Sequence, residues 1–273
     1  MILRPGDRGT AVLDLQRLLR SRGANIDPDA IYGSATTYAV CEAQRRYGLV
    51  VDGIAGPKTV AALSANAARP GHLTAADLQR AAEVLGVPLA SIRAVNEVES
   101  RGSGFLPDGR PVILFERHIM HRELLAAGLD ADFHARQAPN LVNRARGGYA
   151  GGAAEHSRLA RASEINLACA LSATSWGLFQ VMGYHAGRLG YPSVHAFADA
   201  MRSGEAAQLD AFVRFIAADP ALHRALKARK WQTFASLYNG PAYKDNLYDV
   251  RLARAYARYF DHDQNQKAAK ERA

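Results

Sequence analysis

The sequence predicts a mainly α-helical protein in two parts, a small three-helix module and a larger, mostly helical α+β domain with a small β element. Three observations predict it: an internal repeat near the N-terminus, a small-residue stretch ending in Pro-Gly, and helix-period apolar spacing over nearly everything beyond. With 273 residues, 48% of them apolar, the chain has enough material for one to two buried cores. Charged residues at 22% argue against disorder.

The repeat has an offset of 23 residues: Asp29-Ala30-Ile31-Tyr32-Gly33-Ser34-Ala35-Thr36 aligns with Asp52-Gly53-Ile54-Ala55-Gly56-Pro57-Lys58-Thr59. Asp, Ile, Gly and Thr match, and each copy runs into helical sequence. The expected logic is a tight turn in which Gly33 and Gly56 supply a geometry closed to other residues and Ser34 or Pro57 starts the next helix. With the amphipathic segment Val12, Leu15, Leu18, Leu19 ahead of them, two such units make three helices over residues 1–64.

Ser64-Ala65-Asn66-Ala67-Ala68-Arg69-Pro70-Gly71 has no helical period, and residues 65–72 are read as a linker. Beyond it, Thr74-Ala75-Ala76-Asp77 has capping-box form and predicts a helix to about Leu85. Leu89, Ile92, Val95 and Val98 predict another, ended by Glu99-Ser100-Arg101-Gly102. Pro111-Val112-Ile113-Leu114-Phe115 is the one extended candidate. Gly147-Gly148-Tyr149-Ala150-Gly151-Gly152 reads as a loop, either the rim of a cleft or a plain connection. The second domain is expected at 73–260, and 261–273 as a polar, frayed tail.

A net charge of +8 predicts attraction to polyanions, including an anionic bacterial envelope. No block of five or more consecutive Lys and Arg residues occurs, so nucleic-acid binding is not expected, and nothing calls for an oligomer. Residues 1–7 lack the apolar run of a secretion signal, which predicts synthesis in the cytoplasm. Ile165 to Tyr184 carries no charge but is interrupted by polar residues and reads as buried, site-lining sequence. Cys41 and Cys169 stand in no metal-ligand spacing and read as buried thiols; no cofactor is expected.

Leu3-x-x-Gly6, Val12-x-x-Leu15-Gln16, the paired Asp-x-x-x-Gly-x-x-Thr turns, Ala43-Gln44 and Gly48-Leu49-x-x-Asp52-Gly53 together resemble the peptidoglycan-binding domain found at the ends of many wall hydrolases. The resemblance implies a shallow groove for wall peptide or glycan. Tyr32, Tyr47, Asp29 and Asp52 are candidates to line it, although the tyrosines could equally fill the core and the aspartates could serve turn geometry.

Glu99 is the candidate acid, although a Glu near a helix end is by itself more often a solvated surface charge. Breaking a glycosidic bond needs an acid still protonated near neutral pH, hence a carboxyl in an apolar, partly closed pocket. Glu99 ends its helix beside the apolar face, whereas Glu97 points about 200° round the helix. Glu99-Ser100, Ser175-Trp176-Gly177-Leu178-Phe179-Gln180-Val181-Met182 and Tyr238-Asn239-Gly240 follow in the order seen in lysozyme-like wall hydrolases, including goose-type lysozymes and soluble lytic transglycosylases. More closely, Val95 to Ser100 with Ile113-Leu114-Phe115-Glu116-Arg117-His118 and Ser175-Trp176-Gly177 is similar to the N-acetylmuramidase domain of phage endolysins, commonly preceded by the same binding module. That resemblance implies a lysozyme-like fold and cleavage between N-acetylmuramic acid and N-acetylglucosamine. It makes Glu99 the acid, gives Ser175, Gln180 and Asn239 to the sugar, and has Tyr238 hydrogen-bond Glu99. Trp176 and Phe179 are read as core.

A second carboxylate is less determined: Glu116 is the first candidate, Asp108 and Glu97 are others. With none, the sugar's own 6-hydroxyl could attack, giving the 1,6-anhydro ends of a lytic transglycosylase. Two rivals of other classes remain. His118-x-x-His121 with His134, His156 and His185 could serve a zinc amidase or peptidase, though no His-Glu-x-x-His motif occurs. A non-catalytic wall-binding protein is the other.

Overall fold

The computed structural model describes residues 2–66, 71–100, 102–240, 244 and 246–271. The middle of the expected linker, 67–70, lies outside the described residues. The chain forms two compact units, Met1–Gly102 with Ala221–Ala273, and Ser103–Pro220.

The first unit begins with α1 (Thr10–Ser21), α2 (Ser34–Arg46) and α3 (Pro57–Ala65), the three helices the repeat predicts. Val12, Leu15 and Leu19 of α1 meet Val40 of α2 and Leu63 of α3 in one small core. The physical content of the repeat is a pair of matching hydrogen-bond circuits, each centred on a buried glutamine. Gln16 Nε2 donates to Asp29 Oδ1 (2.7 Å), the Ile31 carbonyl (3.0 Å) and Thr36 Oγ1 (2.9 Å). Gln44 Nε2 donates to Asp52 Oδ1 (2.6 Å), the Ile54 carbonyl (3.0 Å) and Thr59 Oγ1 (3.3 Å). The other end of each amide accepts backbone N–H groups of the same turn, from Ala30 and from Asp52 and Gly53. Each circuit fixes a turn that no helix or sheet ladder would satisfy.

The expected reason for the repeated glycines is corrected. Gly33 and Gly56 are extended, with φ of −88° and −86°, a geometry open to any residue. The left-handed positions are Ala30 and Gly53, with φ of 61° and 68°. At Gly53 a Cβ would also stand 2.9 Å from Thr37 Cγ2.

After α3 come α4 (Ala75–Leu85) and α5 (Leu89–Glu99). Thr74 and Asp77 form the predicted capping box, each side chain bonded to the other's backbone. The apolar face of α5, Ile92, Val95 and Val98, is buried.

The second unit holds β1 (Ile113–Phe115), α6 (Arg117–Ala126), α7 (Ala131–Gln137), α8 (Ala154–Ile165), α9 (Leu167–Ser172), β2 (Thr174–Trp176), β3 (Val181–Met182), α10 (Val194–Ser203) and α11 (Glu205–Ala217). The extended candidate is β1, and the Ser-Trp-Gly-Leu-Phe-Gln-Val-Met run adds the hairpin β2-β3 that spacing did not predict. The order is β1-β2-β3, antiparallel, with Leu114 opposite Ser175 and Ser175 opposite Met182. The hairpin turn is held from outside. Gly177 has φ of 70°, and a Cβ there would lie 2.3 Å from Gln208 Cδ. Gln208 Oε1 accepts the Leu178 N–H at 2.8 Å, and its Nε2 donates to the Met201 carbonyl at 2.9 Å. Trp176 and Phe179 are buried, and the Phe179 ring stacks on Phe212 with centroids 4.4 Å apart.

The remaining helices, α12 (Pro220–Lys227), α13 (Trp231–Asn239) and α14 (Tyr248–Glu271), complete the first unit. There α14 packs along α5 and against α13. The segment from 261, expected to fray, continues as helix to Glu271. Leu252, Ala255 and Tyr259 give α14 a buried stripe, and Asp263 pairs with Arg93 of α5.

Candidate active site

Glu99 is the last residue of α5, and the chain turns extended at Ser100, whose N–H still bonds the Asn96 carbonyl. Its neighbour across the fold is α13. Asn239 Nδ2 donates to Glu99 Oε1 at 3.1 Å. Burial pushes the Glu99 carboxyl up to about 7, against the opposing pull of the Asn239 amide and the Arg251 guanidinium. A carboxyl so placed is about half protonated at pH 7, so it can give a proton to a leaving oxygen and then act as its conjugate base. Desolvation produces the shift, since the charged form loses water that one amide does not replace.

The resemblance assigned the hydrogen bond on Glu99 to Tyr238 and the sugar to Asn239. In the structure Asn239 carries the bond to Glu99, while the Tyr238 ring stacks on Phe234 with centroids 6.0 Å apart. Neighbouring residues point about 100° apart on a helix, so Tyr238 and Asn239 face different ways. Glu97, a further candidate for the second carboxylate, is committed elsewhere: it accepts hydrogen bonds from Arg258 and from Tyr259 Oη, and lies 3.5 Å from Arg4 Nη1.

In the second unit the β1-β2-β3 sheet collects Glu116, Ser175 and Gln180. Ser175 is buried, its Oγ 2.9 Å from Gln180 Oε1 and 3.3 Å from the Leu114 carbonyl. Gln180, at φ of 52°, donates from Nε2 to the Gly177 carbonyl at 2.8 Å. Both side chains therefore brace the hairpin. Glu116 follows β1 and its carboxylate receives Tyr149 Oη at 2.9 and 3.1 Å, with His118 Nδ1 at 3.2 Å. Asp108 is exposed and bonds Arg110, which holds its carboxyl below the usual range.

Sequence reasoning missed the residue that organises this unit. Glu155 is fully buried and accepts the N–H groups of Ala150 (2.6 Å), Gly151 (2.9 Å) and Phe115 (3.1 Å) together with Arg158 Nη1 (2.7 Å). Burial works against its charge, but the hydrogen bonds from Gly151, Phe115, Ala150 and Arg158 outweigh it and hold the carboxyl below its ordinary value. It ties the glycine-rich loop 147–152 to the strand that leads to Glu116. Its place just inside a helix start, after two glycines, was the available signal.

The candidate groove residues of the module are largely interior. Tyr32 is 1% exposed and donates from its hydroxyl to the Gly53 carbonyl, and Tyr47 is buried with its hydroxyl on Asn66. Both rings belong to the module's core. Asp29 and Asp52 serve the glutamine circuits; burial raises Asp52 to about 6. Of the histidines, His121 Nε2 lies 2.9 Å from Asp132 Oδ1 and His118 sits on Glu116. Among the described residues no group of three or more His, Cys, Asp or Glu side chains could hold a metal ion, and no helix is long and apolar enough to cross a membrane.

A family model described as N-acetylmuramidase matches residues 88–260, and one described as putative peptidoglycan binding domain matches residues 8–63. A search of curated proteins finds no match. Among solved structures the chain is similar to the crystal structure of Burkholderia AP3 phage endolysin, at 62% identity over 96% of this chain and 100% of that one, with a TM-score of 0.90. The part-buried carboxyl at the end of α5 thus lies inside the matched muramidase region. The chain is a lysozyme-type peptidoglycan hydrolase with an N-terminal peptidoglycan-binding domain, and it belongs to the N-acetylmuramidase family.

Proposed function

We propose that Glu99 is the general acid that protonates the oxygen linking N-acetylmuramic acid to N-acetylglucosamine. One observation carries this reading: its carboxyl sits at a helix end, shielded from water, bonded by Asn239, and titrates at about 7. Glu116 is the second carboxylate, oriented by Tyr149 and His118. Ser175 and Gln180 shape the sugar-binding hairpin, and Tyr238 supports α13. Residues 1–64 hold the wall, 65–72 connect, and 73–260 carry the chemistry. The Burkholderia relative is a phage endolysin, and this chain acts likewise on peptidoglycan in the periplasm or wall, as a monomer. Its charge of +8 favours an anionic envelope over nucleic acid as the further contact.

The test is digestion of purified peptidoglycan by the wild type and by Glu99→Gln, which keeps shape and removes the proton. General acid catalysis contributes about 10²–10⁴-fold, and a loss of that size is expected. Equal release of fragments by both forms refutes the assignment. Mass analysis separates the chemistries: reducing N-acetylmuramic ends mean hydrolysis, anhydro ends mean attack by the sugar's own hydroxyl, and freed peptides mean a different enzyme class.

A further inference from the structure

The last turn of α5 carries two acids on nearly opposite sides. Glu99 faces α13 and Asn239, while Glu97 faces α14 and the N-terminal module. Glu97 accepts from Tyr259 Oη at 2.8 Å and from Arg258, and lies 3.5 Å from Arg4. One turn earlier Arg93 pairs with Asp263 and lies over the Tyr259 ring, its guanidinium carbon 6.0 Å from the centroid. A cavity of about 110 Å³ beside this network is lined by Arg4, Asp52, Lys58, Asn96, Glu97 and Ser100 among others. No basic residue lies in the last turn of α5, and at its C-cap the Ser100 N–H bonds the Asn96 carbonyl. A carboxylate at a helix C-terminus opposes the helix dipole, and Arg258 and Arg4 bring the opposite charge to Glu97.

We propose that Glu97 is a positioning residue: gripped by Arg258 and Tyr259 of α14 and by Arg4 of the wall-binding module, it fixes the last turn of α5 so that Glu99 stays shielded from water. The inference rests on Glu99 as the acid. It makes the module a contributor to turnover as well as to wall affinity, because Arg4 belongs to the module and Glu97 to the helix that bears the acid. The groups facing Glu99 itself are Asn239 and Arg251, so Glu97 and Arg4 act on it through the helix.

The test compares full-length Arg4→Gln and Glu97→Gln with the wild type on soluble peptidoglycan fragments, measuring kcat, KM and the pH dependence of kcat/KM. Small displacements of a catalytic group cost rate steeply, so a fall in kcat of roughly three- to tenfold is expected in both variants with KM little changed. The sign of the pH shift is diagnostic for Arg4→Gln. Loss of a nearby positive charge acting directly would raise the apparent pKa of the acid, whereas a loosened helix end admits water and lowers it. We expect the lower value and its restoration in Arg4→Lys. A raised value, an effect confined to KM, or wild-type kinetics in Arg4→Gln overturns the proposal. Arg4 is 43% exposed, so its variant folds even where Glu97→Gln does not. Glu99→Gln runs in parallel: if it stays active, the acid assignment fails, and if it is inactive while Arg4→Gln is unaffected, only the positioning role fails.

Discussion

A buried acid that is useful for catalysis is a liability for folding, and Glu99→Gln should reveal both at once. The carboxyl titrates at about 7 in the fold against an ordinary 4.5, so folding favours its protonated form. The sign follows from linkage: the group costs nothing well below 4.5, and its cost grows as pH rises through 4.5 and levels off above about 7. The gap between 4.5 and about 7 corresponds to roughly 3 kcal/mol at most, most of it developing between about pH 5 and about pH 8.5. Glutamine keeps an oxygen to accept the Asn239 amide and carries no charge at any pH. The variant should therefore be little altered near pH 5 and more stable near pH 8.5, where a gain of up to about 3 kcal/mol corresponds to a Tm rise of roughly 6–12 °C for a chain of this size. The assay is thermal unfolding of both proteins across that range, alongside peptidoglycan digestion. A stability difference that does not change with pH refutes the desolvated carboxyl and, with it, the physical basis for the acid.

Other perturbations address the framework. Glu155→Ala leaves Arg158 buried without its partner and frees three backbone N–H groups, so a loss of about 3–5 kcal/mol is expected by denaturant unfolding; a loss under about 1 kcal/mol would show that loop 147–152 is held otherwise. Gly177→Ala must place a Cβ against Gln208 at positive φ, and should cost about 2–5 kcal/mol in thermal unfolding and broaden the hairpin's amide protection; an unaffected Tm would contradict the close approach. Gln16→Ala and Gln44→Ala each open one of two matching circuits, so both should destabilise the module by about 2–4 kcal/mol, and a surface-like cost for either would break the equivalence of the repeats.

The three helices of the module, the capping box at Thr74 and the helix ending at Glu99 were legible because each depends on residues close in sequence. The repeat was legible as a pattern but misread as chemistry. Its Asp and Thr are partners of Gln16 and Gln44, whose spacing to the turn differs between the copies, so no fixed offset revealed the glutamines. The hairpin β2-β3 escaped prediction because strands of three and two residues are too short for alternation to register, and their turn depends on Gln208 from a later helix.

What the sequence by itself determined is the family, the helical frame and the candidate acid at the end of α5, since motif order and helical period are local properties of the chain. What only the tertiary structure decided is which of two acids two residues apart is shielded and which is paired. Glu99 meets Asn239 from 140 positions away and loses water, whereas Glu97 accepts from Arg258 and Tyr259. Proton affinity is set by solvent and neighbouring charge, and those neighbours are brought together only by folding.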